Sequence, residues 1–123
     1  MKSTARSYKD LLVWQKGIAL AKEVYRLTRS FPSEEKFGLV AQMRRAAVSI
    51  PSNVAEGQAR HTTGEFIQFI SHAEGSLAEL NTQFIISTEL EFCDNATAAT
   101  AFELISELRR MLNALRRKLV ERQ

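Results

Sequence analysis

The stretch AATAFELISELRRMLNALRRKL, residues 98–119, decides the fold. Its apolar residues Ala98, Ala101, Ile105, Leu108, Leu112, Leu115 and Leu119 recur at steps of three and four, which aligns them along one face of an α-helix. A strand would require alternation at every second residue, and the stretch shows none. One such stripe cannot bury itself, so other helices must supply the facing surface.

Working back towards the N-terminus, the same period returns three more times. Phe66, Ile70, Ala73, Leu77, Leu80 and Phe84 mark a third helix. It is opened by Thr62-Thr63-Gly64-Glu65, which fits a capping box, and it fades near Phe92, where Cys93-Asp94-Asn95 offers a turn and a new cap. Val40, Met43, Ala47, Ile50 and Val54 mark a second helix, with Ser33 as its cap and Glu34 and Glu35 in its first turn, where the helix dipole favours acids. Gly57 and the polar run to His61 end it. Pro51 lies inside this stripe, and it either breaks the segment in two or kinks one helix; resumption in phase at Val54 favours the kink. Leu11, Trp14, Ile18, Ala21 and Tyr25 form the stripe of a first helix from about residue 9 to 29, which stops at Ser30-Phe31-Pro32 because the residue before proline is pushed out of the α region. Four amphipathic helices with short links predict an all-α, up-down-up-down four-helix bundle, its second helix kinked at Pro51. The whole chain, 1–123, reads as one domain, with 1–8 as a flexible basic arm.

Composition agrees with this plan. Of 123 residues 45% are hydrophobic and 25% charged, with 5 Gly and 2 Pro, which excludes collagen-like and disordered chains. The single cysteine, Cys93, cannot make an internal disulfide, so a reducing cytoplasm is the expected compartment. Gln15 and Lys16 interrupt the first apolar run, so it does not read as a signal peptide, and charges break every other run short of a membrane span.

Charge is uneven along the chain. Residues 1–30 hold seven Lys/Arg against two acids, 61–93 hold five acids and no Lys/Arg, and 94–123 hold six bases against four acids. The acidic third helix can simply pair with its basic neighbours. Within the fourth helix, Arg110 and Arg117 fall at the outermost heptad position, with Arg109 and Arg116 beside them and Lys118 following. Lys2, Arg6 and Lys9 add a basic N-terminal arm. Such a stripe neutralises phosphates and releases counterions; equally, it can be no more than a solvated helix face. Aromatic residues outside the expected core are few, which argues against base-specific readout.

No catalytic or metal apparatus is visible. A di-iron bundle needs Glu-x-x-His, but Gln58 precedes His61 and Phe69 precedes His72 at that spacing. His61, Glu65 and His72 near one helix start are a chance grouping in a chain this long. Phosphate loops and nucleophile elbows are missing too. No enzyme, cofactor or metal is therefore expected.

The least generic segments are SIPSNVAEGQAR at 49–60 and GSLAELNTQ at 75–83. Around the proline, Ser49, Ser52, Asn53 and Glu56 either re-satisfy the backbone freed at residue 47 and meet a partner, or face water. Gly75 and Ala78 permit close helix approach, while Glu79, Asn81 and Gln83 form a buried polar network or line a wet face.

Read together as SIPSNVAEGQAR followed by EFIQFISHAEGSLAELNTQFIIS, these segments closely resemble the bacterial four-helix-bundle family of large-subunit ribosomal RNA intervening-sequence proteins. The accessory proteins of diversity-generating retroelements are similar to that family. The resemblance extends from LLVWQKGIALAKEVYRLTRSFP through the C-terminal heptads. It implies a four-helix protomer, a cyclic homo-oligomer that is typically a pentamer, and binding of structured RNA or DNA. On it, Ser49, Pro51, Ser52, Asn53, Glu56, Gly57, Gly75 and Glu79 are family-motif positions that could serve an interface.

Two readings of function follow. In the first, a homo-oligomer binds RNA or DNA through phosphate contacts from Lys2, Arg6, Lys9, Arg109, Arg110, Arg116, Arg117 and Lys118; five copies at +3 each give +15, and their potentials add. In the second, the ring is a scaffold for a protein partner. Phe102, Leu104 and Met111, apolar but off the fourth stripe, are expected at the interface between copies.

Overall fold

The computed structural model describes residues 7–123. Among these, four α-helices, Leu12–Thr28 (α1), Leu39–Gln58 (α2), Thr63–Glu89 (α3) and Asn95–Arg122 (α4), carry the fold, with no strand. Each helix packs on the next in sequence and α1 closes on α4, as an up-down-up-down bundle requires.

The core is the meeting of four stripes. Every residue of the stripe expected on α2 is buried; on α3 all but Phe66 and on α4 all but Leu115 are buried, and those two are packed against the core from its edge. α1 differs. Its buried residues are Val13, Gly17, Leu20, Val24, Leu27 and Thr28, while Leu11, Trp14, Ile18 and Ala21 are half-buried and Tyr25 is exposed. This helix has two apolar stripes at helical spacing, and the one without large aromatics turns inward because Gly17 must meet α2. A Cβ on Gly17 would stand 3.2 Å from the Pro51 Cβ and 3.3 Å from its Cδ, so the proline ring occupies the space the glycine leaves. α2 runs unbroken through Pro51; the break into two helices is overturned, and the expected kink is not confirmed.

The ends also differ from expectation where the chain makes a short turn before committing to a helix. Ser7 caps a 3-10 turn over Tyr8–Asp10, and extended Leu11 separates that turn from α1. Ser7 and Tyr8, placed in the arm by sequence, thus belong to an ordered turn, with the Tyr8 ring 5.4 Å from that of Trp14. Ser33 likewise opens a 3-10 turn, Ser33–Glu35, and does not cap α2. The backbone N–H of Leu39 donates instead to Glu35 Oε1 at 3.2 Å, so a carboxylate four residues before it does the capping.

The remaining caps follow the sequence. Thr62 Oγ1 accepts from the Glu65 N–H at 3.1 Å and donates to Glu65 Oε1 at 2.9 Å; Asp94 Oδ1 accepts from the Thr97 N–H at 2.7 Å. Between α3 and α4 the chain reverses through Glu91, at φ 64. The Phe92 N–H donates to Ser87 O and the Glu91 N–H to Thr88 O, the paired bonds of a Schellman ending with glutamate where glycine is usual. Phe92 then packs 5.6 Å from Phe31, centroid to centroid.

Candidate nucleic-acid interface

α4 is the rigid element that carries the expected phosphate-binding residues, and its neighbours sort them. Arg116 turns towards α3. It pairs with the Glu74 carboxylate, and its Nη2 donates to Ser71 Oγ at 2.6 Å. The hydrogen bond to Glu74 holds the guanidinium above its ordinary range, so the charge persists but is already neutralised. This is the pairing of the acidic helix with a basic neighbour that composition allowed, and it removes Arg116 from the free stripe.

Arg109, Arg110, Arg117 and Lys118 are exposed, and none is in an ion pair among the described residues. Arg110 Nη1 donates to Ser106 Oγ at 2.9 Å, which steadies the side chain and leaves most of its donors free. Arg109 and Arg110 border a groove of about 600 Å³ between α3 and α4, whose other walls include Ala78, Asn81, Thr82 and Asn113. The groove offers cationic and amide donors around Leu77 and Ile105, with Glu74, the partner of Arg116, on the same wall. Lys118 lies on the opposite flank of α4, beside Leu11, Leu12, Met111 and Leu115. Lys9 is exposed just before the start of α1, its carbonyl accepting from Gln15 Nε2 at 2.9 Å. Lys2 and Arg6 lie outside the described residues. On the α1 flank, Lys16 is paired with Glu107 at 3.2 Å.

The motif positions divide in the same way. Pro51 and Gly57 are packing residues: a Cβ at Gly57 would stand 2.7 Å from Phe66 Cδ1 and 2.9 Å from Phe69 Cβ. Ser49 Oγ donates to Ala46 O, and Asn53 Nδ2 to Ser49 O, both at 2.7 Å. Neither bond reaches the Ala47 carbonyl that the proline frees, so among the described residues these side chains do not supply the replacement partner expected there. Ser52 and Glu56 are exposed. Gly75 faces open space, so it does not serve the close helix approach expected of it. Glu79 is exposed and accepts from Gln83 Nε2 at 3.4 Å; Gln83 is buried, and its Oε1 has no hydrogen-bond partner among the described residues.

Two further groups escaped the sequence reading. Arg60 stacks over Phe69 at 4.7 Å, and Phe69 meets His72 edge-on at 5.9 Å. Tyr25 and Phe37 stand outside the core beside Arg44 and Lys36. A cation next to an aromatic off the main stripe, as in Lys36-Phe37, is the signal that could have found the second. Phe102, Leu104 and Met111 are half-buried against the core, which removes them as an exposed apolar surface. Among the described residues, no group of three His, Cys, Asp or Glu could hold a metal ion, and no helix is long and apolar enough to cross a membrane.

Fold and surface together define a small antiparallel four-helix bundle whose last helix presents unpaired cations on its outer side. Residues 9–114 match the profile of the 23S rRNA-intervening sequence protein family, and the chain belongs to that family. Among curated proteins, none matches the chain.

Proposed function

We propose that this protein acts by binding, as a cyclic homo-oligomer that holds structured RNA or DNA by its phosphates and performs no catalysis. The observation that carries the reading is the set of unpaired cations Arg109, Arg110 and Arg117 along α4 and its groove with α3. The name of the family, with its reference to 23S rRNA, supports a nucleic-acid setting. Arg110 and Arg117 repeat at seven residues on a rigid helix, so they meet a phosphate chain in fixed register. Without a planar partner to orient them onto base edges, they position rather than specify. Repetition around a ring multiplies the +3 of each copy and strengthens the field that draws a polyanion in.

The test is the double variant Arg110→Glu with Arg117→Glu, measured by fluorescence anisotropy on RNA and DNA duplexes across a salt series. Affinity should fall for both, and the slope of log affinity against log salt should flatten by about 0.9 for each phosphate that is no longer neutralised. Arg116→Gln combined with Glu74→Gln, which removes the ion pair as a unit, should leave that slope unchanged, because Arg116 is spent on Glu74. Unaltered affinity in the double variant would overturn the α4 surface and move attention to Lys9 and the residues before it. If removing those also had no effect, the protein-scaffold reading would replace this one.

A further inference from the structure

Away from α4, two exposed apolar surfaces of opposite charge lie on the flanks of α2. The first is a groove of about 490 Å³ between α1 and α2, formed around Tyr25, Phe37, Val40 and Val48 and rimmed by Lys36, Arg44 and Arg45. Phe37 is 89% exposed, an apolar ring left almost wholly in water. The cationic rim is partly built in: Arg44 lies 4.5 Å over the Tyr25 ring and donates to Thr28 Oγ1 at 3.0 Å. Arg45 is in no ion pair among the described residues.

The second surface is the ridge of α3 that continues from Glu79 and Gln83 into Ile86 and Leu90, spaced four, three and four apart. Ile86 is 42% and Leu90 57% exposed. Glu89 and Glu91 flank them, and no Lys or Arg occurs between Arg60 and Arg109.

We infer that the α1–α2 groove of one copy receives the α3 ridge of the next. The inference rests on the oligomer reading above and names the surfaces that build it. Contiguous apolar surface rimmed by polar groups marks an interaction site, and charge selects the arrangement. Groove against groove would set Lys36, Arg44 and Arg45 against their own copies, and ridge against ridge would do the same for Glu79 and Glu89; each is repulsive. Groove against ridge brings opposite charges together and buries Phe37 and Val48 against Ile86 and Leu90. An Arg45 guanidinium can reach the exposed Glu79 carboxylate, which accepts its fork of N–H groups. The occupant is a second copy because both complementary halves belong to one chain. Such a contact is head-to-tail, the kind that closes into rings. It leaves Arg109, Arg110 and Arg117 uncovered, since none of them belongs to either surface.

The experiment uses Phe37→Asp, which disables the groove, and Ile86→Asp, which disables the ridge, each checked for helicity by circular dichroism and sized by sedimentation equilibrium. Each variant alone should sediment as a monomer at concentrations where the unaltered protein is assembled. An equal mixture should form one-to-one dimers and nothing larger, because one intact groove and one intact ridge remain. If either substitution lowers helicity, the exposed charge reversals Arg45→Glu and Glu79→Lys replace them: each alone should lose assembly, and an equal mixture should recover assemblies larger than a dimer, because each reversed groove then faces a reversed ridge and each unaltered groove an unaltered ridge. Variants that assemble like the unaltered protein would overturn this interface and leave the oligomer reading standing. Variants monomeric both alone and mixed would overturn the head-to-tail arrangement. An unaltered protein that is itself monomeric would overturn the interface and the oligomer reading together.

Discussion

Two glycines in neighbouring helices should respond to the same substitution with different outcomes. Gly75 in α3 has nothing within 4 Å of where a Cβ would stand, whereas at Gly57 in α2 that atom would meet Phe66 Cδ1 at 2.7 Å and Phe69 Cβ at 2.9 Å. Replacing glycine by alanine inside a helix gains about 1 kcal/mol of propensity, and Gly75→Ala should show that gain. Gly57→Ala makes the same gain but forces α2 away from α3, because Phe69 Cβ is fixed to the α3 backbone and cannot swing aside. Overpacking of this kind costs about 1–3 kcal/mol. The propensity gain cancels between the two variants, so their difference isolates the cost of the clash, again about 1–3 kcal/mol. Urea unfolding followed by circular dichroism, with all chains at one concentration, reads this difference directly. In a thermal scan each kcal/mol corresponds to roughly 3–6 °C for a domain of this size. Equal stabilisation by both substitutions would refute the close approach of α2 and α3 at Gly57. A loss of stability in Gly75→Ala would mean that its open surface is covered in solution.

Three further outcomes are expected. Leu112, fully buried on α4, should lose about 2–5 kcal/mol on change to alanine, and a denaturation midpoint within error of the parent would refute its place in the core. Glu91 holds a left-handed backbone at φ 64, a conformation that costs a side-chain-bearing residue about 1–2 kcal/mol. Glu91→Gly should therefore raise the melting temperature, offset in part by the greater entropy glycine loses on folding; a lowered value would show that the Glu91 side chain contributes more than its backbone strain removes. Asp94 has its carboxyl held below the usual range by hydrogen bonds from Thr97. Its capping contribution should be complete above the unfolded carboxylate value and disappear as pH falls through the lower folded value. The gap in melting temperature between the parent and Asp94→Ala should close over that acid window, and a gap independent of pH would contradict the cap.

Legibility in the sequence tracked how local each cause is. The stripes on α2, α3 and α4 were readable because burial follows helical period, and the caps at Thr62 and Asp94 were readable because they act within three residues. α1 misled because it carries two stripes, and only the facing ring of Pro51 decides that Gly17 rather than Trp14 turns inward. Ser33 misled because capping preference says which residue can cap, while the intervening 3-10 turn decides which one does. In the candidate interface, Arg109, Arg110 and Arg117 follow from heptad position alone. Arg116 shares their composition, yet its partners Glu74 and Ser71 lie on another helix. The groove around Phe37 was hidden for a related reason: its parts belong to α1, α2 and the segment between them.

The meeting of Gly17 and Pro51 also bears on how such chains can diverge. The two positions lie on separate helices but occupy one shared volume, with the glycine vacating what the ring fills. Even alanine at 17 asks the ring at 51 or α1 to give by a few tenths of an ångström, and a bulkier side chain asks for more, so lineages should change the two together. A chimera that joined α1 from one relative to α2 from another would have to match the two positions: a bulkier residue at 17 crowds the ring, and glycine against a smaller residue at 51 leaves the contact underpacked.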